Sequence, residues 1–183
     1  IKWDGSSDVP LFEKKDIGVD SLIFAKDNPA QQLLREIGKF WQMKKEYESI
    51  GYLHRRGFLL YGTQGSGKTS IIQQAISDVV RGGGLVLICE NPNHFAPGLL
   101  TFRRVEPDRD VICLFEDIDA IKARWGEDKL LSILDGEDQI NHVFNLASTN
   151  YPELLDKRIV SRPRRFDRVI KVLPPDKKMR ADY

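Results

Sequence analysis

The chain has 183 residues, of which 41% are apolar and 30% are charged, and its net charge is only +1. This composition is ordinary for a soluble globular domain with a hydrophobic core. The small net charge excludes a general electrostatic attraction to nucleic acid or to a membrane. The apolar runs have the length of strands and are too short to span a bilayer.

The positions of the cysteines and histidines bear on the redox compartment and on metal binding. Cys89 and Cys113 lie inside apolar runs without a CxxC spacing, which predicts buried thiols in a reducing, intracellular compartment of unspecified kind. The three histidines have no neighbouring Cys, Asp or Glu at metal-ligand spacing. Because the chain begins with Ile1 and not with Met, we expect it to be a piece of a longer protein. Because its apolar runs are short, we expect this piece to be soluble.

The predicted elements follow in chain order. Residues 1–18 are mixed in composition and predict an irregular lead-in that has room for a short strand. A helical pattern runs from Pro29 to about Ser49, with an apolar stripe that suits packing against a sheet. Five continuous apolar runs then predict strands at Phe58–Tyr61, Leu85–Cys89, Val111–Phe115, Val143–Ala147 and Val169–Leu173. Helical or loop segments separate these runs, so we predict an α/β domain of three layers around a parallel sheet.

The most informative segment is Gly-Thr-Gln-Gly-Ser-Gly-Lys-Thr at residues 62–69, which matches the phosphate-binding pattern G-x-x-x-x-G-K-[ST]. It lies between a predicted strand and a predicted helix. Its glycines allow backbone N–H groups to surround phosphate oxygens, and the helix N-terminus adds partial positive charge. Lys68 is predicted to reach the β- and γ-phosphates, and Thr69 to bind Mg²⁺. The predicted nucleotide-binding residues are Gly62, Gln64, Gly65, Ser66, Gly67, Lys68, Thr69 and Ser70.

Polar side chains follow two of the later strands. Glu116 and Asp117 end the Val111 strand, with Asp119 two residues on, and Asn150 follows the Val143 strand. Ligands of parallel sheets lie at the carboxyl ends of strands, so one carboxylate is expected beside Mg²⁺ and the other beside the attacking water. Asn150 is expected to hold that water or to contact the γ-phosphate. A helix cap for the acids and an ordinary turn role for Asn150 are the alternatives.

A basic segment comes last. Residues 157–178 contain nine Lys or Arg against two Asp, with Phe166 as the one aromatic. Such a segment suits either a nucleic-acid surface or guanidinium groups that stabilise charge on a transferred phosphoryl group.

These motifs, in this order, resemble the AAA family of ATPases. Residues 62–69 resemble its Walker A loop, residues 114–119 its Walker B segment, residues 148–150 its sensor 1, and residues 162–168 its "RPGRFDR" sequence. The resemblance implies a P-loop NTPase with a five-stranded parallel sheet, the large subdomain of the family, at residues 19–176. The family also has a helical lid after this subdomain. Residues 177–183 are expected to be only its start, so the lid itself is absent from this chain.

Residues 55–62, the order Glu116-Asp117 and residues 130–136 more narrowly resemble the mitochondrial Rieske-protein translocase branch, which also has Glu-Asp where most relatives have Asp-Glu. By position in the family's Walker B motif, Asp117 is expected to be the base and Glu116 the carboxylate on the metal side, although the two roles can be exchanged. Alignment with the family motif favours Arg162 and Arg165 as arginine fingers, the arginines that contact the nucleotide of a neighbouring subunit. Arg164, which replaces the glycine of the motif, is a further candidate. Ile23 is the expected adenine contact.

The resemblance implies Mg²⁺-dependent ATP hydrolysis by a ring, a hexamer or heptamer, or by a helical assembly that remodels or translocates a protein. Phe95 or Phe102 would then contact substrate in the pore, although burial suits Phe102 better. Two alternatives stay open. One is a motor or loader that acts on DNA, and the other is an ATP-binding scaffold with negligible hydrolysis.

Overall fold

The computed structural model describes residues 2–4, 11–13, 29–135, 140–156, 159 and 165–174. A short antiparallel pair consists of β1 (Lys2–Asp4) and β2 (Leu11–Glu13). The main sheet consists of β3 (Arg55–Tyr61), β4 (Leu85–Ile88), β5 (Val111–Phe115), β6 (Val143–Thr149) and β7 (Arg168–Lys171). The helices are α1 (Pro29–Gln42), α2 (Lys44–Ser49), α3 (Lys68–Arg81), α4 (Pro92–Val105), α5 (Ile118–Trp125) and α6 (Glu127–Asp135), and a 3₁₀ turn covers Pro152–Leu154.

The main sheet is entirely parallel, with the strand order β4-β5-β6-β3-β7. This confirms the predicted five-stranded parallel sheet and the α/β class. Because all five strands run the same way, their carboxyl ends share one edge of the sheet. Strand β6 lies between β3 and β5, so the residues that follow these three strands meet at the centre of that edge.

Side chains alternate between the two faces of the sheet. On β3, Leu59 belongs to a buried cluster with α4, α5 and α6, whereas Phe58 and Leu60 belong to a second cluster with α1 and α3. Every residue of β5 is buried. Burial on both faces explains why β5 is continuously apolar and why the other inner strands are largely so, and it produces the three predicted layers.

The structure differs from the sequence prediction in its boundaries. The helix predicted from Pro29 to Ser49 is two helices, since the Met43 N–H bonds to the Phe40 carbonyl three residues earlier, 3.1 Å away, and tightens the end of α1. Strand β4 ends one residue earlier than predicted, and β6 runs on to Thr149. Strand β7 occupies Arg168–Lys171, so it begins one residue before and ends two residues before the predicted Val169–Leu173 strand. The region predicted as an irregular lead-in contains β1 and β2.

Both cysteines are buried and unpaired, as predicted. Burial raises the pKa of both thiols, that of Cys113 to about 12. Among the described residues, no helix combines the length and the apolar character needed to cross a membrane.

Candidate functional site

The loop between β3 and α3 requires glycine at specific positions. A Cβ on Gly62 would lie 2.2 Å from the carbonyl oxygen of Val172, so no larger residue fits there. Gly65 and Gly67 have positive φ angles of 76° and 93°, which glycine adopts without strain. Open space surrounds both of these glycines. The backbone therefore has no room for a side chain at Gly62, where the chain leaves the sheet, whereas the turn at Gly65 and Gly67 faces open space.

Helix α3 begins directly after this loop at Lys68. Its N-cap residue is Gly67, and no side chain caps the helix. The first N–H groups of a helix have no partner within it and carry partial positive charge. Gln64 and Thr69 are exposed, Ser70 is half-buried, and the Ser66 side chain is buried. The uncapped N-terminus therefore suits an anion such as a phosphate group.

The ammonium group of Lys68 lies at the centre of the loop, and the residue is 7% exposed. Its Nζ donates to the carbonyl oxygens of Gly62 at 2.8 Å and Thr63 at 3.0 Å, and to Asn150 Oδ1 at 2.7 Å. Burial lowers the pKa of Lys68, while the negative charges of Asp117 and Asp119 oppose that shift. The lysine of the loop is thus in contact with the residue that follows β6.

Asn150 joins the loop to the acidic end of β5. Its Nδ2 donates to Asp117 Oδ1 at 3.3 Å, while its Oδ1 accepts from Lys68. Lys68, Asn150 and Asp117, which come from three different strand ends, therefore form one continuous set of contacts. The half-buried Glu116 directly follows β5 and precedes Asp117. A cation, an amide and two carboxylates are thus collected at one edge of the sheet.

The backbone of Asp117 has an uncommon conformation. Its φ of 47° and ψ of 57° place it in the left-handed region, which a residue with a side chain rarely enters. The carbonyl of Asp117 accepts the first helical bonds of α5, from Ala120 N at 2.8 Å and Ile121 N at 3.2 Å. Asp117 is therefore the N-cap residue of α5, and it has an uncommon backbone conformation at the site.

Arg165 lies away from this site within the same chain. It is 2% exposed, and its guanidinium forms a two-point ion pair with Asp135 at the end of α6. Its carbonyl packs against Gly57 near the beginning of β3, whereas the phosphate-binding loop follows the other end of that strand. Arg162, Arg164 and Ile23 lie outside the described residues.

The aromatic residues considered for substrate contact lie in the core. Phe95 is 6% exposed, and the centre of its ring is 5.6 Å from that of Phe115. The pore interpretation of Phe95 is therefore wrong for this structure, because the ring is packed under the sheet. Phe102 is half-buried against the same cluster, which agrees with the expectation of burial.

No separate roles were predicted for Ser148, Thr149 or Asp119. Ser148 Oγ accepts from the Asp117 N–H at 3.2 Å, and Thr149 Oγ1 donates to Asp119 Oδ1 at 2.5 Å. The signal in the sequence was the polar run that ends a largely apolar strand. The partner of each hydroxyl could not be known before the strand order was known.

Comparison with known proteins gives the class to which this fold and site belong. A family model described as "ATPase family associated with various cellular activities (AAA)" matches residues 58–173. The chain belongs to this family. The match includes the phosphate-binding loop, both acidic residues and Asn150. The narrower resemblance to the mitochondrial Rieske-protein translocase branch stays a prediction.

Individual relatives agree with the family assignment. Protein SAV of Sulfolobus acidocaldarius is 29% identical over 192 residues, covering 96% of this chain and 24% of the relative. The ATP-dependent zinc metalloprotease FtsH of Clostridium perfringens is 30% identical over 190 residues, covering 94% of this chain and 26% of the relative. A proteasome-activating nucleotidase of Methanococcus maripaludis is 30% identical over 154 residues, covering 74% of this chain and 38% of the relative. The chain thus spans only a minor part of the length of these curated relatives.

Proposed function

We propose that this chain is the nucleotide-binding core of a Mg²⁺-dependent ATPase in which Asp117 is the general base. The observation that carries the proposal is the set of contacts from Lys68 through Asn150 to Asp117. A phosphate-binding cation, a water-positioning amide and a carboxylate are the groups that phosphoryl transfer to water requires. All three lie beside a helix N-terminus with no side-chain cap.

Each residue at the edge has a proposed task. The N–H groups of residues 65–70 and the Lys68 ammonium bind the phosphates, and the adenine is proposed to contact Ile23. Asp117 takes the proton from the attacking water, which Asn150 positions. Mg²⁺ would neutralise charge on the phosphate oxygens.

The donor set at the site fits Mg²⁺. This ion prefers oxygen ligands and keeps several waters, so it needs few protein groups. The exposed Thr69 hydroxyl and the half-buried Glu116 carboxylate supply such oxygens. We propose that Thr69 binds the ion directly and that Glu116 binds it partly through water.

Assembly is proposed to complete the site. Arg162, from a neighbouring subunit, would stabilise the charge that develops during hydrolysis, and such an arginine is worth ~10³–10⁵ in rate in related systems. Arg165 can serve in this way only if its ion pair with Asp135 opens. A residue supplied by a neighbour requires a head-to-tail interface, which closes into a ring, hexameric or heptameric, or extends into a helix.

A protein substrate is the favoured target. Two of the similar proteins are named as an ATP-dependent protease and a proteasome-activating nucleotidase, and both names imply work on proteins. A DNA-acting machine has less support, because two arginines of the basic segment are engaged within the chain. Arg165 pairs with Asp135, and Arg168 NH2 lies 3.3 Å from Glu36 Oε1.

The test measures ATP binding and hydrolysis by the full-length protein and by Lys68→Ala. We expect the variant to lose ATP affinity by about tenfold or more, since charge-assisted hydrogen bonds contribute about 1.5–3 kcal/mol. Hydrolysis should also rise more than linearly with protein concentration as subunits assemble. Unchanged ATP affinity in Lys68→Ala would contradict the proposal.

Mixing experiments test the contribution of the neighbour. Arg162→Ala and Asp117→Asn subunits, each inactive alone, should regain hydrolysis when mixed, because some interfaces then contain both intact groups. No recovery would contradict the assignment of Arg162 to a neighbouring site. ATP binding without hydrolysis under every condition would instead favour the scaffold alternative.

A further inference from the structure

Three consecutive residues at the end of β6 each contact the turn between β5 and α5. Ser148 Oγ accepts from the Asp117 N–H at 3.2 Å, Thr149 Oγ1 donates to Asp119 Oδ1 at 2.5 Å, and Asn150 Nδ2 donates to Asp117 Oδ1 at 3.3 Å. The turn is therefore attached to the neighbouring strand at its backbone, at the Asp117 side chain and at the first turn of α5.

The contact between Thr149 and Asp119 is the most buried of the three. Thr149 is 0% exposed, and its Oγ1 also accepts from the Tyr151 N–H at 3.0 Å. Because that N–H occupies a lone pair of the hydroxyl, the hydroxyl proton is directed to the Asp119 carboxylate. A charged acceptor makes this hydrogen bond stronger than one between neutral groups. Asp119 is thus held in one orientation from outside its own helix.

These contacts surround a residue in an uncommon backbone conformation. Asp117 has the left-handed φ of 47°, and such positions persist only where neighbouring structure determines them. Relaxation of Asp117 to an ordinary conformation would turn its carboxylate away from Asn150 and Lys68. The first turn of α5 would move with it, because the Asp117 carbonyl accepts the first helical bonds.

We propose that Thr149 and Asp119, together with Ser148, are positioning residues that keep the Asp117 carboxylate aimed at the reacting water. None of the three is proposed to touch the nucleotide. The inference rests on the proposed ATPase function, and it adds that Asp119 acts through Thr149. If Asp119 instead were a direct metal ligand, Thr149 would matter little.

The test compares variants at this contact for kcat, for the KM of ATP and for thermal unfolding. Thr149→Val removes the hydroxyl while keeping the shape of a fully buried side chain. We expect kcat to fall by roughly 10- to 100-fold with the KM of ATP within about twofold, since a small misplacement of a reacting group has effects of this size. Thr149→Ser keeps the hydroxyl and should recover most of that loss.

A matched control and a double variant complete the design. Thr101→Val makes the same chemical change at an exposed helical position, where the hydroxyl bonds only to Pro97 O at 2.9 Å, and it should leave kcat unchanged. Asp119→Ala should lower kcat as Thr149→Val does. The double variant should lose no more than the worse single variant, because both changes remove the same contact.

Several outcomes would overturn the proposal. These are an unchanged kcat in Thr149→Val, an equal loss in Thr149→Ser, or independent losses that multiply in the double variant. If Thr149→Val fails to fold, Ser148→Ala tests the same claim by removing the acceptor for the Asp117 N–H. Its kcat should fall at least about threefold, and an unchanged value would overturn the proposal. Asp117→Asn separates the two hypotheses, because normal hydrolysis by that variant contradicts the proposed function itself.

Discussion

The Nδ1 atoms of His54 and His142 lie 2.7 Å apart in the interior, at the opposite end of the strands from the phosphate-binding loop. His54 Nε2 contacts the Phe40 carbonyl at 2.7 Å, and His142 Nε2 contacts the Asp110 carboxylate at 2.8 Å. Both of these oxygens only accept hydrogen bonds, so each Nε2 carries a proton. One further proton fits between the two Nδ1 atoms. The pair therefore accommodates a single positive charge.

Acid should destabilise the fold through this histidine pair. Burial lowers the pKa of both rings. The charges around the pair are Lys44 and Glu48 from α2, Arg103 from α4, and Asp110. Below about pH 6.5, the ordinary histidine value, both histidines of the unfolded chain bind an extra proton, whereas the buried pair resists the second one, so stability is lost as pH falls below that value.

Chemical denaturation at pH 5 and at pH 7 measures this effect. The wild type should lose on the order of 1 kcal/mol more than the double variant His54→Gln/His142→Gln over this range, since one pKa unit corresponds to 1.36 kcal/mol. His94→Gln is the matched control and should behave as the wild type does. Equal losses in the wild type and the double variant would contradict the assignment.

Arg165→Ala should destabilise the isolated subunit. The guanidinium is buried, and its removal takes the two-point ion pair away from the Asp135 carboxylate. Breaking a buried pair costs about 3–5 kcal/mol, and partial exposure of Asp135 lowers the expectation to about 2 kcal/mol in denaturant unfolding. Arg104→Ala, at an exposed position on α4, is the control. An unchanged stability in Arg165→Ala would indicate an arginine that is available to a neighbour.

Gly62→Ala should weaken both folding and ATP binding. The added Cβ would meet the Val172 carbonyl at 2.2 Å and Ser66 Oγ at 3.0 Å, so the loop must move away from the sheet. Overpacking of this kind costs about 1–3 kcal/mol. Gly82→Ala is the control, because its nearest contact is an ordinary 3.4 Å. Thermal unfolding and nucleotide titration of both variants check the prediction, and equal behaviour would refute it.

Variants of the two adjacent carboxylates, Glu116 and Asp117, should differ in how their hydrolysis rate depends on Mg²⁺ concentration. Removal of a general base typically costs about 10²–10⁴ in rate, so Asp117→Asn should lose hydrolysis while it retains ATP binding. Glu116→Gln should instead require more Mg²⁺ for half-maximal rate and recover at high Mg²⁺. The reverse pattern would show that the two residues exchange roles.

The sequence predicted those parts of the site that follow from local pattern and sheet geometry. The loop of residues 62–69 is a contiguous motif, and parallel strands that end at one edge bring Asp117 and Asn150 together. The contacts of Arg165 with Asp135 and of His54 with His142 were not predicted, because each joins residues far apart in the chain. Local patterns contain no information about such pairs. The same limit applies to Phe95, which was a candidate for substrate contact although its ring packs inward from α4.

The hydrogen bonds of Lys68 bear on how the protein detects its nucleotide. An ammonium group has three N–H bonds, and here the oxygens of Gly62, Thr63 and Asn150 accept them at 2.7–3.0 Å, with Ser66 Oγ as a fourth, more distant acceptor at 3.5 Å. An arriving triphosphate must compete with these oxygens for the same protons. When Lys68 turns to the phosphates, the Asn150 amide loses a partner and becomes available to water. Under the proposed function, this exchange of partners would couple nucleotide binding in the loop to the position of Asn150 beside Asp117.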